Sequence, residues 1–253
     1  MCPNFELFGS KVELFPIIIA LGATLAILLF LRICSKDKTS EQELNKLMIL
    51  FIPIALGCVF FAMVADKIAH FSQPWYVPAG ISFSGGLLGG FVCYSITYYF
   101  LFKEDRSKYI KHTSLFIMLA TLTHAFGRVG CFFGGCCYGI ESDSFLAVTY
   151  PAGSIQHIQY GYITAVLPTQ LFEAGFLFIL FGIMFKFVKK YTISLYFIGY
   201  GIFRFFLEYL RGDNRGSLNL SISPSQLYSI IFVIIGIVFI VVEYKEIKKN
   251  KEV

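Results

Sequence analysis

Apolar residues occur in long blocks from one end of the chain to the other, with short polar segments between them. A helix needs about 20 such residues to cross the hydrocarbon core of a bilayer. Blocks of that kind fall at 12–33, 47–65, 81–102, 114–133, 167–187, 193–210 and 222–244. The pattern therefore predicts seven transmembrane helices. The sixth is the most interrupted, because it holds Gly199, Gly201, Arg204 and Glu208. Between the fourth and fifth blocks, residues 140–166 are too polar to span. Tyr150-Pro151-Ala152-Gly153 predicts a turn there, and the alternation over 154–163 a short hairpin or interfacial helix. The expected fold is an all-α integral membrane protein, one polytopic domain over 1–253 with a small extracytoplasmic segment near 140–166.

Composition agrees with the pattern. Of the 253 residues 57% are hydrophobic and 15% charged, and mean hydropathy is +0.70. Soluble domains carry about 25% charged residues. The net charge of +5 gives no reason to expect a nucleic acid, because its placement is that of a membrane protein. Lys and Arg gather in alternate loops, at 32–46, 103–111, 186–190 and 245–251. Such loops face the cytoplasm, so the N-terminus is expected outside and the C-terminus inside. Residues 140–166 contain no Lys or Arg, as suits an outside segment. Trp75 and Tyr76, beside Pro74 and Pro78, are expected at the outer headgroup level. Met1 to Ser10 lacks the basic start of a cleavable signal peptide.

Charge within a spanning block is costly and points to function. His124 and Arg128 are four residues apart and share a helix face. Arg204, Glu208 and Arg211 follow at i, i+4 and i+7, one polar stripe on the sixth helix. Two arginines near a single acid would leave positive charge for an anionic ligand. A phosphate is the natural guest, because the guanidinium fork matches its oxygens. The alternative is an ion pair, Arg128–Glu208 or Arg204–Glu208, that only locks helices together. Ser82 to Gly90 is dense in glycine, which serves close helix packing or backbone N–H exposure to a ligand. Pro168-Thr169-Gln170 and Pro224-Ser225-Gln226 begin the fifth and seventh helices alike, and both glutamines are expected near the outer mouth.

Of seven cysteines, Cys2, Cys34, Cys58 and Cys93 are scattered and Cys131, Cys136 and Cys137 are clustered. The C-x4-C-C spacing lacks the second pair or the histidines of common zinc sites. A disulfide is open to them outside the cytoplasm, and close packing in a glycine-rich turn is the simplest reading. No metal is expected.

The segment Gly127-Arg128-Val129-Gly130-Cys131-Phe132-Phe133-Gly134-Gly135-Cys136-Cys137-Tyr138-Gly139 resembles the signature of the prolipoprotein diacylglyceryl transferases. Ser82-Phe83-x-Gly85-Gly86-Leu87, Pro168-x-Gln170-Leu171-Phe172-Glu173 and Phe203-Arg204-Phe205-x-x-Glu208 agree with that family in order. The resemblance covers nearly the whole chain. It implies transfer of a diacylglyceryl group from phosphatidylglycerol to the lipobox cysteine of a prelipoprotein signal peptide, with release of glycerol 1-phosphate. It also implies a bacterial cytoplasmic membrane, with the active site toward the outer leaflet and membrane lipids as partners; no cofactor is expected. Arg128 and Arg204 map to the family's essential arginines, which hold the headgroup, and Glu208 to the acid after them. Ser84 stands where the family usually has histidine, Cys131 where it has asparagine, and Cys136 where it has glutamate.

The expected catalytic set is His124 as base, Arg128, Arg204 and Glu208. Ser84, Gly85, Gly86, Cys131, Gly135, Gln170, Glu173 and Arg211 are expected to line the substrate site. Two other classes fit the same residues: a related lipid transferase with a different acceptor, and a non-catalytic lipid-binding or thiol-redox membrane protein.

Overall fold

The computed structural model describes residues 4–7, 10–71, 73, 74, 76, 77, 80–186, 190–213, 216 and 221–249, with side chains from residue 13 onward. Cys2, Trp75, Pro78, Lys189, Arg215 and Lys251, on which several expectations rested, lie outside them.

The chain opens with a short antiparallel pair, β1 (Asn4–Leu7) and β2 (Ser10–Glu13), in which Asn4 faces Glu13. Helix α1 (Leu14–Lys36) follows. Helix α2 (Glu41–Ile49) is capped by Ser40, whose hydroxyl accepts from the Glu43 N–H, and runs almost directly into α3 (Phe51–Ala69). The two together form one apolar candidate span, Glu41–Ala69. Helix α4 (Phe83–Leu101) lies against α3, and α5 (Tyr109–Gly134) follows. The segment after α5 carries β3 (Val148–Thr149), α6 (Ile155–Tyr160) and β4 (Ala165–Val166), with β3 paired to β4. Of residues 154–163, Ile155–Tyr160 form a short helix, capped by Ser154 and ended by Gly161 at positive φ. Helices α7 (Thr169–Lys186), α8 (Thr192–Leu207) and α9 (Pro224–Lys249) complete the bundle. A 3-10 turn, Glu208–Leu210, extends α8.

Among the described residues six helices are long and apolar enough to cross a membrane: α1, α2–α3, α5, α7, α8 with its 3-10 turn, and α9. Helix α4 is 19 residues long, but its glycines, serines and tyrosines dilute its apolar character. The expected second block begins at 47 because the first turns of α2 are polar. The two small strand pairs are additions to the expected all-α fold.

Helix α5 is the central element, packed on α1, α7 and α8 and the most buried of the candidate spans. Helices α3 and α4 form a second pair, α8 and α9 a third. The glycines of α4 serve that packing: a Cβ on Gly85 would strike Ala65, and one on Gly86 the Cys58 carbonyl. At the start of α5, Lys108 and His112 meet Glu43, and Lys111 meets Asp37, which ties α2 and the end of α1 to the central helix.

Candidate active site

The last third of α5 brings His124 and Arg128 to the middle of the bundle, where they are 5% and 4% exposed. Their partner is Glu173 of α7, which is fully buried. Arg128 Nε lies 3.0 Å from Glu173 Oε1 and donates to His124 Nε2 at 3.2 Å. His124 Nε2 is 3.5 Å from the same carboxylate oxygen. Tyr200 of α8 donates its hydroxyl to Glu173 Oε1 at 2.8 Å. The imidazole stacks on Phe83 at 3.7 Å between ring centres, and Tyr200 meets it edge-on. With Nε2 accepting from arginine, the ring proton sits on Nδ1, which is buried and has no partner among the described residues.

Arg204 is one turn beyond Tyr200 on α8 and 1% exposed. Its Nη2 pairs with Glu208 Oε2 at 2.7 Å and donates to Ser225 Oγ at 3.1 Å. Glu208 Oε1 accepts from Ser223 Oγ at 2.8 Å, and Ser223 in turn exchanges hydrogen bonds with Gln226. The start of α9 therefore holds the Arg204–Glu208 pair in place. Arg204 Nη1 is buried without a partner among the described residues.

Arg211 does not continue the stripe. The helix ends at Leu207 and tightens into a 3-10 turn, leaving Arg211 in extended backbone beside Gly139. Two hydrogen bonds stitch this segment to the signature loop, Ile140 N–H to the Leu210 carbonyl at 2.9 Å and Gly212 N–H to the Tyr138 carbonyl at 3.1 Å. Gly139 also donates to the Leu167 carbonyl at 2.8 Å. No side chain fits at Gly139: a Cβ would meet the Leu210 and Leu167 carbonyls. The Arg211 guanidinium grips Asp213 with Nε at 2.8 Å and Nη2 at 2.9 Å, while its Nη1 is buried and unpartnered among the described residues. Burial raises the Asp213 carboxyl above the ordinary aspartate range, with Arg211 offsetting part of the rise.

Each arginine has a carboxylate of its own, so the expected surplus of cations over acids is not what defines the site. Glu173, expected to line the substrate site, is the buried partner of Arg128, and of the two alternative ion pairs Arg204–Glu208 forms while Arg128–Glu208 does not. The three arginines still belong to one electrostatic neighbourhood. Arg204 acts on Glu173 and His124, and Arg211 on Cys137, which also feels Arg128.

The signature loop completes the site. Gly135 ends α5 at φ +67°, with its N–H and that of Cys136 returned to the last turn. That is the work of a left-handed helix terminus, not of a ligand contact. Cys137 also adopts positive φ, at 63°. Gln170 donates to the Cys136 carbonyl at 2.6 Å and to the Tyr150 hydroxyl at 3.1 Å, and Thr169 to the Cys137 carbonyl at 2.9 Å. The first turn of α7 thus clamps the loop. Cys131, Cys136 and Cys137 are free thiols whose sulfurs all lie within 4.8 Å of one another. The Cys137 thiol is pushed well below its usual range by hydrogen bonds from Cys131 and Cys136, then by Arg211 and Arg128. The Cys136 thiol is pushed up by its hydrogen bonds with Cys131 and Cys137 and by burial.

Of the expected residues, His124, Arg128, Arg204, Glu208, Glu173, Gln170, Cys131 and Arg211 fall in this region. Ser84 is buried in the first turn of α4 next to Phe83, while Gly85 and Gly86 face α3. Tyr200, Ser223 and Asp213 were not singled out from the sequence, and Ser225 and Phe83 were named only within motifs. Tyr200 carried a usable signal, since it precedes Arg204 by one helical turn. A cavity of about 750 Å³ lined by Arg32, Lys36, Lys111 and Lys186 lies at the opposite end of α5 and is not part of this site.

A bundle of membrane-crossing helices that buries three guanidinium groups beside a glycine- and cysteine-rich loop defines a polytopic membrane protein with an internal polar site. The chain belongs to the prolipoprotein diacylglyceryl transferase family, whose model matches residues 4–242. It is 30% identical over 257 residues to phosphatidylglycerol–prolipoprotein diacylglyceryl transferase 2 of Clostridium perfringens, covering 98% of this chain and 96% of that protein. The transferase of Clostridium tetani is 30% identical over 92% of this chain and 94% of its own length. That of Finegoldia magna is 28% identical, over 98% of each.

Proposed function

We propose that the chain is a transferase that moves the diacylglyceryl group of phosphatidylglycerol to the lipobox cysteine thiol in a prelipoprotein signal peptide. The observation that carries this reading is the pair of buried Nη1 donors on Arg204 and Arg211 near the Arg128–Glu173–His124 cluster, in a chain of this family. Guanidinium donors held out of water and lacking acceptors are complementary to a phosphate.

The cysteine sulfur attacks the glycerol carbon that carries the phosphate ester. The S–C bond forms, the C–O bond breaks, and glycerol 1-phosphate leaves with the electron pair. Arg128 and Arg204 stabilise the charge that grows on the leaving phosphate. Thiolate is the attacking species, so the thiol must lose its proton. His124 Nε2 takes it once Arg128 turns from the imidazole to the phosphate. Until then the Arg128 hydrogen bond occupies that nitrogen. Glu173 and Glu208 hold arginines in place and take no proton.

By loop charge, the N-terminus is outside, the C-terminus cytoplasmic, and the site faces the outer leaflet of the bacterial cytoplasmic membrane. Helix α4 is the seventh span, and an odd number of crossings places the termini on opposite sides.

The test is phosphatidylglycerol-dependent labelling of a prelipoprotein peptide by the purified chain in lipid vesicles. Arg128→Ala and Arg204→Ala each abolish labelling. A wild-type chain that releases no glycerol 1-phosphate with this peptide refutes the reading. Phosphate release with another acceptor supports instead a related transferase on the same scaffold, which the cysteines at 131 and 136 favour.

A further inference from the structure

We infer that Cys131, Cys136 and Cys137 form a three-thiolate binding site for a soft cation of the zinc(II) or copper(I) class. The spacing along the chain gave no hint of this, and the backbone supplies it. Cys131 lies in the last turn of α5. Gly135 reverses the chain in the left-handed conformation, and Cys137, a residue with a Cβ, takes up the same region. A non-glycine residue rarely adopts positive φ unless its surroundings demand it. Here the turn carries three sulfurs to within 4.8 Å of one another. Metal–thiolate bonds of about 2.3 Å place the sulfurs of a three-coordinate site about 4 Å apart, so only a small contraction is required.

The surroundings favour a charged cluster. Three thiolates around a zinc ion carry one net negative charge, and around copper(I) two. Arg128 and Arg211 both act on Cys137 and would balance that charge. The loop is also held rigid, as ligand positions must be: Gln170 and Thr169 fix the carbonyls of Cys136 and Cys137. Gln170 Oε1 is buried with no partner among the described residues. The same amide donates its Nε2 to the Cys136 carbonyl, so Gln170 fixes the backbone of one ligand and the site itself is the three sulfurs. Soft thiolate sites select these cations over magnesium or calcium. The ion would tie the end of α5 to the loop that receives Arg211, and so fix the helix turn that presents Arg128.

The experiment uses the full chain in detergent, reduced and freed of metal, titrated with zinc against a chromogenic chelator and with copper(I) under anaerobic conditions. One equivalent per chain is taken up, with thiolate-to-metal absorption in the copper titration. Cys136→Ser and Cys137→Ser each weaken uptake by more than about 100-fold, beyond what loss of an outer partner costs. Cys93→Ser, which alters a thiol packed against Gly57 away from the cluster, leaves it intact. Thermal unfolding identifies any variant that has failed to fold, and a reading is taken only from Cys136→Ala or Cys137→Ala in its place. Absence of uptake by folded, reduced wild-type chain overturns the inference. So does uptake that survives both substitutions. A disulfide within the trio in chain isolated without reductant, coupled with no uptake after reduction, assigns the cluster to redox pairing instead. None of these readings depends on lipid transfer, so the site and the proposed activity stand or fall separately.

Discussion

Removing one side of the Arg128–Glu173 pair tests the buried cluster most directly. Glu173 has no exposed surface, and its Oε1 is shared by Arg128 at 3.0 Å, Tyr200 at 2.8 Å and His124 at 3.5 Å. Glu173→Leu leaves a guanidinium at 4% exposure with no carboxylate beside it. Breaking a buried pair in this way costs about 3–5 kcal/mol, and the orphaned Tyr200 hydroxyl adds about 1–3 kcal/mol. Arg128→Met alone strands the carboxylate and costs a similar 3–5 kcal/mol or so. The double substitution removes both charges together, and a well-packed apolar pair is about neutral relative to the ion pair. It therefore recovers most of the loss, and adding Tyr200→Phe recovers the hydroxyl's share. Unfolding followed in detergent reads these values, and lipid transfer is measured on the same samples. Stability returns in the double variant and activity does not, because Arg128 is gone. Additive losses, or a Glu173→Leu cost below about 1 kcal/mol, would show that the carboxylate does not neutralise Arg128, and the site geometry would be refuted.

Three further outcomes follow from the same geometry. His124→Ala lowers transfer by about 100- to 10,000-fold with headgroup binding retained; wild-type turnover in that variant removes His124 as the base. Gly139→Ala pushes the signature loop away from the Leu210 and Leu167 carbonyls and costs about 1–3 kcal/mol in thermal unfolding, with a parallel loss of transfer because Arg211 is displaced. Glu243, on α9, accepts hydrogen bonds from the backbone N–H groups of Ile193 and Ser194 at the start of α8; Glu243→Ala leaves those donors buried and costs about 1–3 kcal/mol, while transfer by the folded fraction is unchanged.

How much of this was legible in the sequence depends on how local each feature is. The apolar blocks stand out because a spanning helix must be apolar nearly all round, and α1, α5, α7 and α9 fall where the blocks do. The Ser40–Glu43 spacing that caps α2 was passed over, because the apolar block alone put the start at 47. Helix α4 was visible by length, but its glycines face α3 and serve contact rather than lipid solubility. Charge pairing was not legible. Arg128 and Glu173 are 45 positions apart, and whether they meet depends on the rotation of α5 against α7, which no periodicity within either helix fixes. The i, i+4, i+7 spacing of Arg204, Glu208 and Arg211 failed at its last step, because the helix tightens at Glu208 and Gly212 turns the chain toward Gly139. The cysteines were visible as a cluster in the sequence, but not the convergence of their sulfurs, which depends on left-handed backbone at Gly135 and at Cys137.

A site whose arginines are all paired at rest can still receive a phosphate, provided the carboxylates keep company when the arginines turn away. The structure meets that condition. Glu173 retains the Tyr200 hydroxyl, and Glu208 retains the Ser223 hydroxyl, so each acid keeps one hydrogen bond while its guanidinium, turned to the ligand, stays within the site, unlike in Arg128→Met. In the proposed reaction the Nη1 donors of Arg204 and Arg211, unpartnered among the described residues, would give the incoming phosphate a first hold before any pair opens. Exchange of one anion for another around a guanidinium that stays buried avoids most of the desolvation that an empty cationic pocket would incur. In the proposed reaction it would also couple the two halves: the Arg128 movement that grips the phosphate is the one that frees His124 Nε2. Proton abstraction from the thiol is then available only when the leaving group is already held, which protects the buried imidazole from idle protonation.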